Sequence, residues 1–97
     1  MEYLQELVDH VIIKVGDLIV DEETGLVGVM VRRERRIDMF MDDIYFWHVK
    51  WIKNKNKTGP TPDDINMLSH VEEEGLKLSI AVGTLTIYSP EEDKHEF

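Results

Sequence analysis

V-G-D-L-I-V-D-E-E-T-G-L-V-G-V-M-V (residues 15–31), an arginine-rich segment, and then Y-F-W-H-V-K-W-I (residues 45–52) decide the fold class of this chain. β-Branched and aromatic residues alternate there between turn signals at Gly16, Gly25 and Asp42-Asp43, the pattern of strands in a small twisted antiparallel barrel. The first strand is expected over 17–21. The acidic turn that follows reverses the chain at Thr24-Gly25, with Gly25 at positive φ. The second strand runs over 26–31, placing Val27, Val29 and Val31 on one face and Gly28 and Met30 on the other. A glycine at 28 implies close approach of another part of the chain. In the strongest strand, 44–52, Tyr45, Trp47, Val49 and Trp51 share one face, and their size suits a core. Phe46, His48, Lys50 and Ile52 share the opposite face, where His48 reads as a solvated or hydrogen-bonded strand residue.

Outward from that centre, residues 2–10 predict a short helix, with Leu4, Leu7, Val8 and Val11 recurring at helical spacing. It serves either as a cap on the open end of the barrel or as an arm that docks on a neighbour. Residues 53–60, K-N-K-N-K-T-G-P, form a polar loop. Thr61-Pro62-Asp63-Asp64 then has the chemistry of a helix start, and the helix is expected to bury Ile65, Leu68 and Val71 and to end at Gly75. On that reading the acids at 72–74 lie at a helix C-terminus, where the dipole disfavours them. Strands are expected over 76–81 and 84–88, and the acidic residues 91–97 are expected to form a flexible tail behind a single domain over 1–90.

The formal charge of −9 is unevenly distributed. Residues 32–57 hold eight basic residues against four acids, a local balance of +4, whereas the remainder holds three lysines against sixteen acids, −13. A duplex-binding domain ordinarily carries net positive charge, so nucleic acid is not expected as the main partner. The chain has no cysteine, which removes disulfides, thiolate metal sites and thiol catalysis together. It shows no apolar run long enough to span a membrane and no basic-then-apolar leader, so a soluble protein without membrane contact is expected, in the compartment where it is made. No nucleophile and base pair, acid pair or metal-ligand cluster stands at useful spacing; neither enzymatic activity nor a cofactor is expected.

The segment 32–43 is longer than an ordinary hairpin connection and mixes four arginines with Ile37, Met39, Phe40 and Met41. Alternation of Ile37, Met39 and Met41 favours a protruding two-stranded ribbon; continuation of the core is the other reading. Arginine, methionine and phenylalanine together are enriched at protein interfaces. Arg32, Arg33, Arg35, Arg36, Met39 and Phe40 are therefore the candidate partner-binding residues, and a protein with an acidic or mixed face is the expected partner.

V-G-D-L-I-V (15–20), T-G-L-V-G-V-M-V (24–31) and F-W-H-V-K-W-I (46–52) resemble the pattern of small SH3-like barrel proteins encoded by tailed bacteriophages. The resemblance covers about residues 15 to 52. It implies an SH3-like antiparallel barrel and a phage origin, and it carries over no functional residues. A virion component that binds larger phage structural subunits, or that associates with itself, follows as the expected class, located in the virion or the host cytoplasm. The two other classes are a nucleic-acid-associated small barrel, resting on the basic centre, and an acidic inhibitor of a host DNA-binding protein, resting on the charge of −13 elsewhere.

Overall fold

Five antiparallel strands and two helices make up the described part of the chain, in the order α1 (Glu2–His10), β1 (Leu18–Asp21), β2 (Leu26–Ile37), β3 (Asp43–Asn54), β4 (Leu68–Glu72), α2 (Glu73–Val82) and β5 (Leu85–Tyr88). The computed structural model describes residues 2–56, 58–61 and 68–90. The sheet order is β4-β3-β2-β1-β5, so the chain forms a meander of four strands and β5 returns to flank β1. The fold is thus mainly β. The expected barrel is not closed: among the described residues β4 and β5 do not pair, and α2, which joins them, packs against both and against β3. α1 packs on α2 rather than on a strand edge.

The core lies where the sheet meets α2. Ile19, Met30 and Val49 are fully buried, Trp47 and Leu76 nearly so, and Ile13, Trp51, Val71 and Leu85 pack around them. Trp47, Val49 and Trp51 face the core together, as their alternation predicts, while Tyr45 on the same face is half-buried beyond it, beneath the Arg33 guanidinium. Val31 does not follow its strand. A register irregularity between Met30 and Arg32 pushes Val31 out of the ladder, and it is 45% exposed. Gly28 sits at a second irregularity, where a Cβ would lie 2.7 Å from Val49 Cγ1 and 2.9 Å from Trp51 Cε3. The absence of a side chain there lets the two large residues of β3 cross over β2.

Two expected elements are corrected. Residues 68–72 are strand β4, not the end of a helix, and residues 76–81 belong to helix α2, not to a strand. The helix start expected at Thr61-Pro62 falls largely on residues 62–67, outside the described residues, as does the tail 91–97. Gly75 lies inside α2, whose C-terminus is closed by Gly83 at φ 92°, its N–H donating to the carbonyls of Ser79 and Ile80. That left-handed geometry is what glycine supplies at a helix end. The acids at 73 and 74 consequently occupy the first turn of α2, where the dipole favours them. Leu76 is buried in the core and Ile80, one turn on, is half-buried, whereas Leu78, which alternation places beside them, is 43% exposed.

Candidate functional site

Beyond the sheet, β2 and β3 continue alone. β1 pairs with β2 as far as Val29, with Gly16 and Asp17 adding backbone bonds to Met30, and β4 pairs with β3 from Lys50 to Phe46, opposite Glu34, whereas the β2–β3 ladder runs on to Ile37 opposite Asp43. The outer residues therefore form the two-stranded ribbon that the alternation predicts, with three residues beyond Glu34 projecting about 10 Å at strand rise.

The four arginines divide between its two faces. Arg33 and Arg35 stand opposite Trp47 and Tyr45 on the face that continues the core; Arg32 and Arg36 stand opposite His48 and Ile44 on the other. Each meets a carboxylate. Arg33 donates through Nε and Nη2 to both oxygens of Glu73, at 2.8 and 2.9 Å, and its guanidinium lies 3.6 Å above the Tyr45 ring. Trp47 Nε1 donates to the same Glu73 at 2.9 Å, so a nearly buried carboxylate is held by three N–H groups. The bonds from Arg33, then the one from Trp47, hold the Glu73 carboxyl below the usual range against the opposing effect of burial, and Glu73 in turn raises Arg33.

On the opposite face Glu34 is the hub. Arg36 Nε reaches it at 2.6 Å, Arg32 at 3.2 Å and His48 Nε2 at 2.6 Å. Arg36 first, and His48 after it, push the Glu34 carboxyl down to about 2. The short contact to Glu34 assigns the proton to His48 Nε2, which makes the 3.3 Å approach of Arg32 to the same nitrogen a contact without a hydrogen bond. His48 packs on its cross-strand neighbour His70 with ring centroids 4.0 Å apart. Arg36 also lies over Phe46 at 4.1 Å. Arg35 and Asp43 make a looser pair at 3.8 Å. Among the described residues no group of three or more His, Asp or Glu side chains is placed to hold a metal ion.

What the ribbon leaves uncovered is its tip. Met39, Phe40 and Met41 are 87, 77 and 79% exposed, and Ile37 beneath them 54%. The turn is built by Asp38, whose Oδ1 accepts from the N–H groups of Phe40 and Asp42 and whose carbonyl accepts from Met41 N–H. Met41 stands at φ 66°, the left-handed position that a three-residue hairpin loop of this kind ordinarily gives to glycine. A side chain there costs about 1–2 kcal/mol of backbone strain. Met41→Gly is therefore expected to raise the unfolding free energy by about 0.5–1 kcal/mol, after allowing for glycine's looser unfolded state, as read by urea unfolding. A lower stability in that variant would remove the strain from the account.

The sequence-predicted residues are thus together on one projection, with different roles. The arginines are tied to carboxylates along the shaft, while Met39 and Phe40, with Met41, form an exposed apolar face at the end. Glu34 was not singled out from sequence, although it stands among four arginines; Glu73 belongs to the acidic run 72–74, whose expected place at a helix C-terminus pointed to a cationic partner among the chain's lysines, and the partner is Arg33. No helix among the described residues is long and apolar enough to cross a membrane. No protein-family model, no curated protein and no solved structure matches this chain.

Proposed function

We propose that this is a non-enzymatic interaction protein, a small structural component of a bacteriophage particle that binds a larger protein subunit through the tip of the β2–β3 ribbon. The observation that carries the reading is the exposure of three consecutive large apolar side chains, Met39, Phe40 and Met41, at the end of a projection stiffened by ion pairs on both faces. A soluble chain ordinarily covers such a patch, and aromatic anchors at the centre of an interface supply most of its energy. The phage setting rests on the resemblance of β1, β2 and β3 to small phage-encoded barrels. Nucleic acid suits the ribbon less well, because each arginine already faces a carboxylate instead of offering a free charge to phosphate.

Incorporation into particles tests this directly. Mass spectrometry of purified particles should find the parent protein, and complementation with Phe40→Ala should reduce its incorporation by about 30-fold, the loss of a hot-spot contact. Arg35→Glu, which disturbs an exposed pair, should reduce it by less than about threefold. Normal incorporation of Phe40→Ala would remove the tip from the functional surface.

A further inference from the structure

At the base of the same ribbon the molecule has a groove that matches the tip. The connection that follows α1, V-I-I-K-V over residues 11–15, runs past α2 and leaves an open cavity of about 420 Å³ against the ribbon. Trp47 and Ile13 contribute to its lining, and Ile12 and Val15 stand on it 70 and 64% exposed. A cavity of that size lies within the range that takes a small aromatic ligand. Its charge is set by Lys14 and Lys77, neither of which makes an ion pair among the described residues, against Asp9; Arg33 and Glu73, also in the lining, neutralise each other. In a chain of net charge −9 this is a locally cationic, apolar hollow.

The tip has the opposite character. Its Met-Phe-Met knob is flanked by Asp38 and Asp42, and among the described residues neither carboxylate has a cationic partner. An acid-flanked apolar knob and a lysine-flanked apolar hollow therefore occur on one molecule. They cannot meet within it. Arg33, in the groove, lies five residues down a paired ribbon from the turn at Asp38, about 16 Å away at strand rise, and the ladder between them does not fold back. Two unlike, complementary surfaces on one chain generate contacts between copies.

We propose that the ribbon tip of one copy seats in the groove of a second copy, Phe40 entering beside Ile12, Val15 and Trp47 while Asp38 and Asp42 approach Lys14 and Lys77. This deepens the reading of the tip as a protein-binding surface, and rests on it, by naming a second copy of the chain as an occupant. A single-knob contact of this kind is at the small end of specific interfaces, which corresponds to a dissociation constant on the order of 10–100 µM.

Sedimentation velocity on the full chain, from about 5 µM to about 500 µM, spans that range. The parent should pass from monomer to larger species as concentration rises. Phe40→Asp, which spoils the knob and keeps the groove, and Ile12→Asp, which spoils the groove and keeps the knob, should each remain monomeric throughout. An equal mixture of the two should associate again, since it contains one intact knob and one intact groove. Both positions are largely exposed, so the fold should tolerate either change; should one variant melt early, Met39→Asp or Val15→Asp takes its place. A monomeric parent at the highest concentration, association untouched by both substitutions, or a mixture that stays monomeric would each overturn the contact. A monomeric parent whose Phe40→Ala variant is lost from particles overturns the self-contact alone. A self-associating parent whose Phe40→Ala variant still enters particles overturns the particle reading alone.

Discussion

Trp47→Ala is expected to lower the unfolding free energy by about 3–5 kcal/mol, the range for truncating a buried large aromatic side chain. Trp47 is 2% exposed and packs with Ile19, Met30, Val49 and Leu76, so its removal opens a cavity at the junction of sheet and helix. It also takes away the indole N–H that donates to Glu73, leaving a nearly buried carboxylate with Arg33 alone. Trp51 makes the informative comparison. It is half-buried, packs against the core from its edge and donates to Ser69 Oγ at 3.0 Å, so Trp51→Ala should cost roughly 1.5–3 kcal/mol. Urea unfolding followed by circular dichroism decides the order. Two variants that melt within a degree or two of the parent would mean that neither tryptophan supports the core.

The second large effect belongs to Glu73. Breaking a buried ion pair costs about 3–5 kcal/mol, but Arg33 is 44% exposed on its side chain and water can resolvate it, so Glu73→Leu is expected to cost roughly 2–3 kcal/mol. The same site predicts the acid limb of stability. Glu73 and Glu34 both bind a proton less readily in the folded chain than in the unfolded one, so the unfolded state takes up more protons on acidification. Their contributions are complete above the ordinary glutamate value of about 4.3 and are lost as pH falls below it, in the case of Glu34 down to about 2. The parent should therefore lose stability progressively from about pH 4.5 downward. Glu73→Gln keeps the shape and removes the charge; its stability should be lower at pH 7 and fall less steeply toward pH 3. An unchanged acid slope in Glu73→Gln would show that the Arg33 pair does not set it.

The first three strands of the meander were legible because three signals agreed along them. Period-two alternation, glycine at the turn and large aromatics on a single face all place β1, β2 and β3 where the structure has them. The ribbon followed from the same alternation carried past Arg32. The C-terminal third was misread because two signals conflicted and the local one was preferred. Leu76, Leu78 and Ile80 alternate like a strand, while Leu76 and Ile80 also lie one helical turn apart, and periodicity over so few residues does not separate the two. The deciding clue was charge. A run of three glutamates sits badly at the end of a helix and well at the beginning of one, and the structure starts α2 at Glu73. At the candidate site the ribbon that carries the arginines was legible, but the carboxylates that pair them were not. Pairing of Arg33 with a residue forty positions away depends on how β4 and α2 fold back over the ribbon, which no local pattern encodes.

The sheet order has a consequence for the timing of folding. Hairpins β1–β2 and β2–β3 close over short loops and are complete once Asn54 has been made. The residues that cover their apolar face arrive later: Leu76 on α2, and then β5, which pairs with β1 from the far end of the chain. At ordinary rates of synthesis, about 5–20 residues per second, the interval from Asn54 to Leu76 lasts about one to four seconds. During that time a nascent three-stranded meander holds Ile19, Met30 and Val49 open to water with a bare β1 edge beside them. The arrival of Leu76 and β5 thus decides whether this early product becomes a closed core or a template for aggregation.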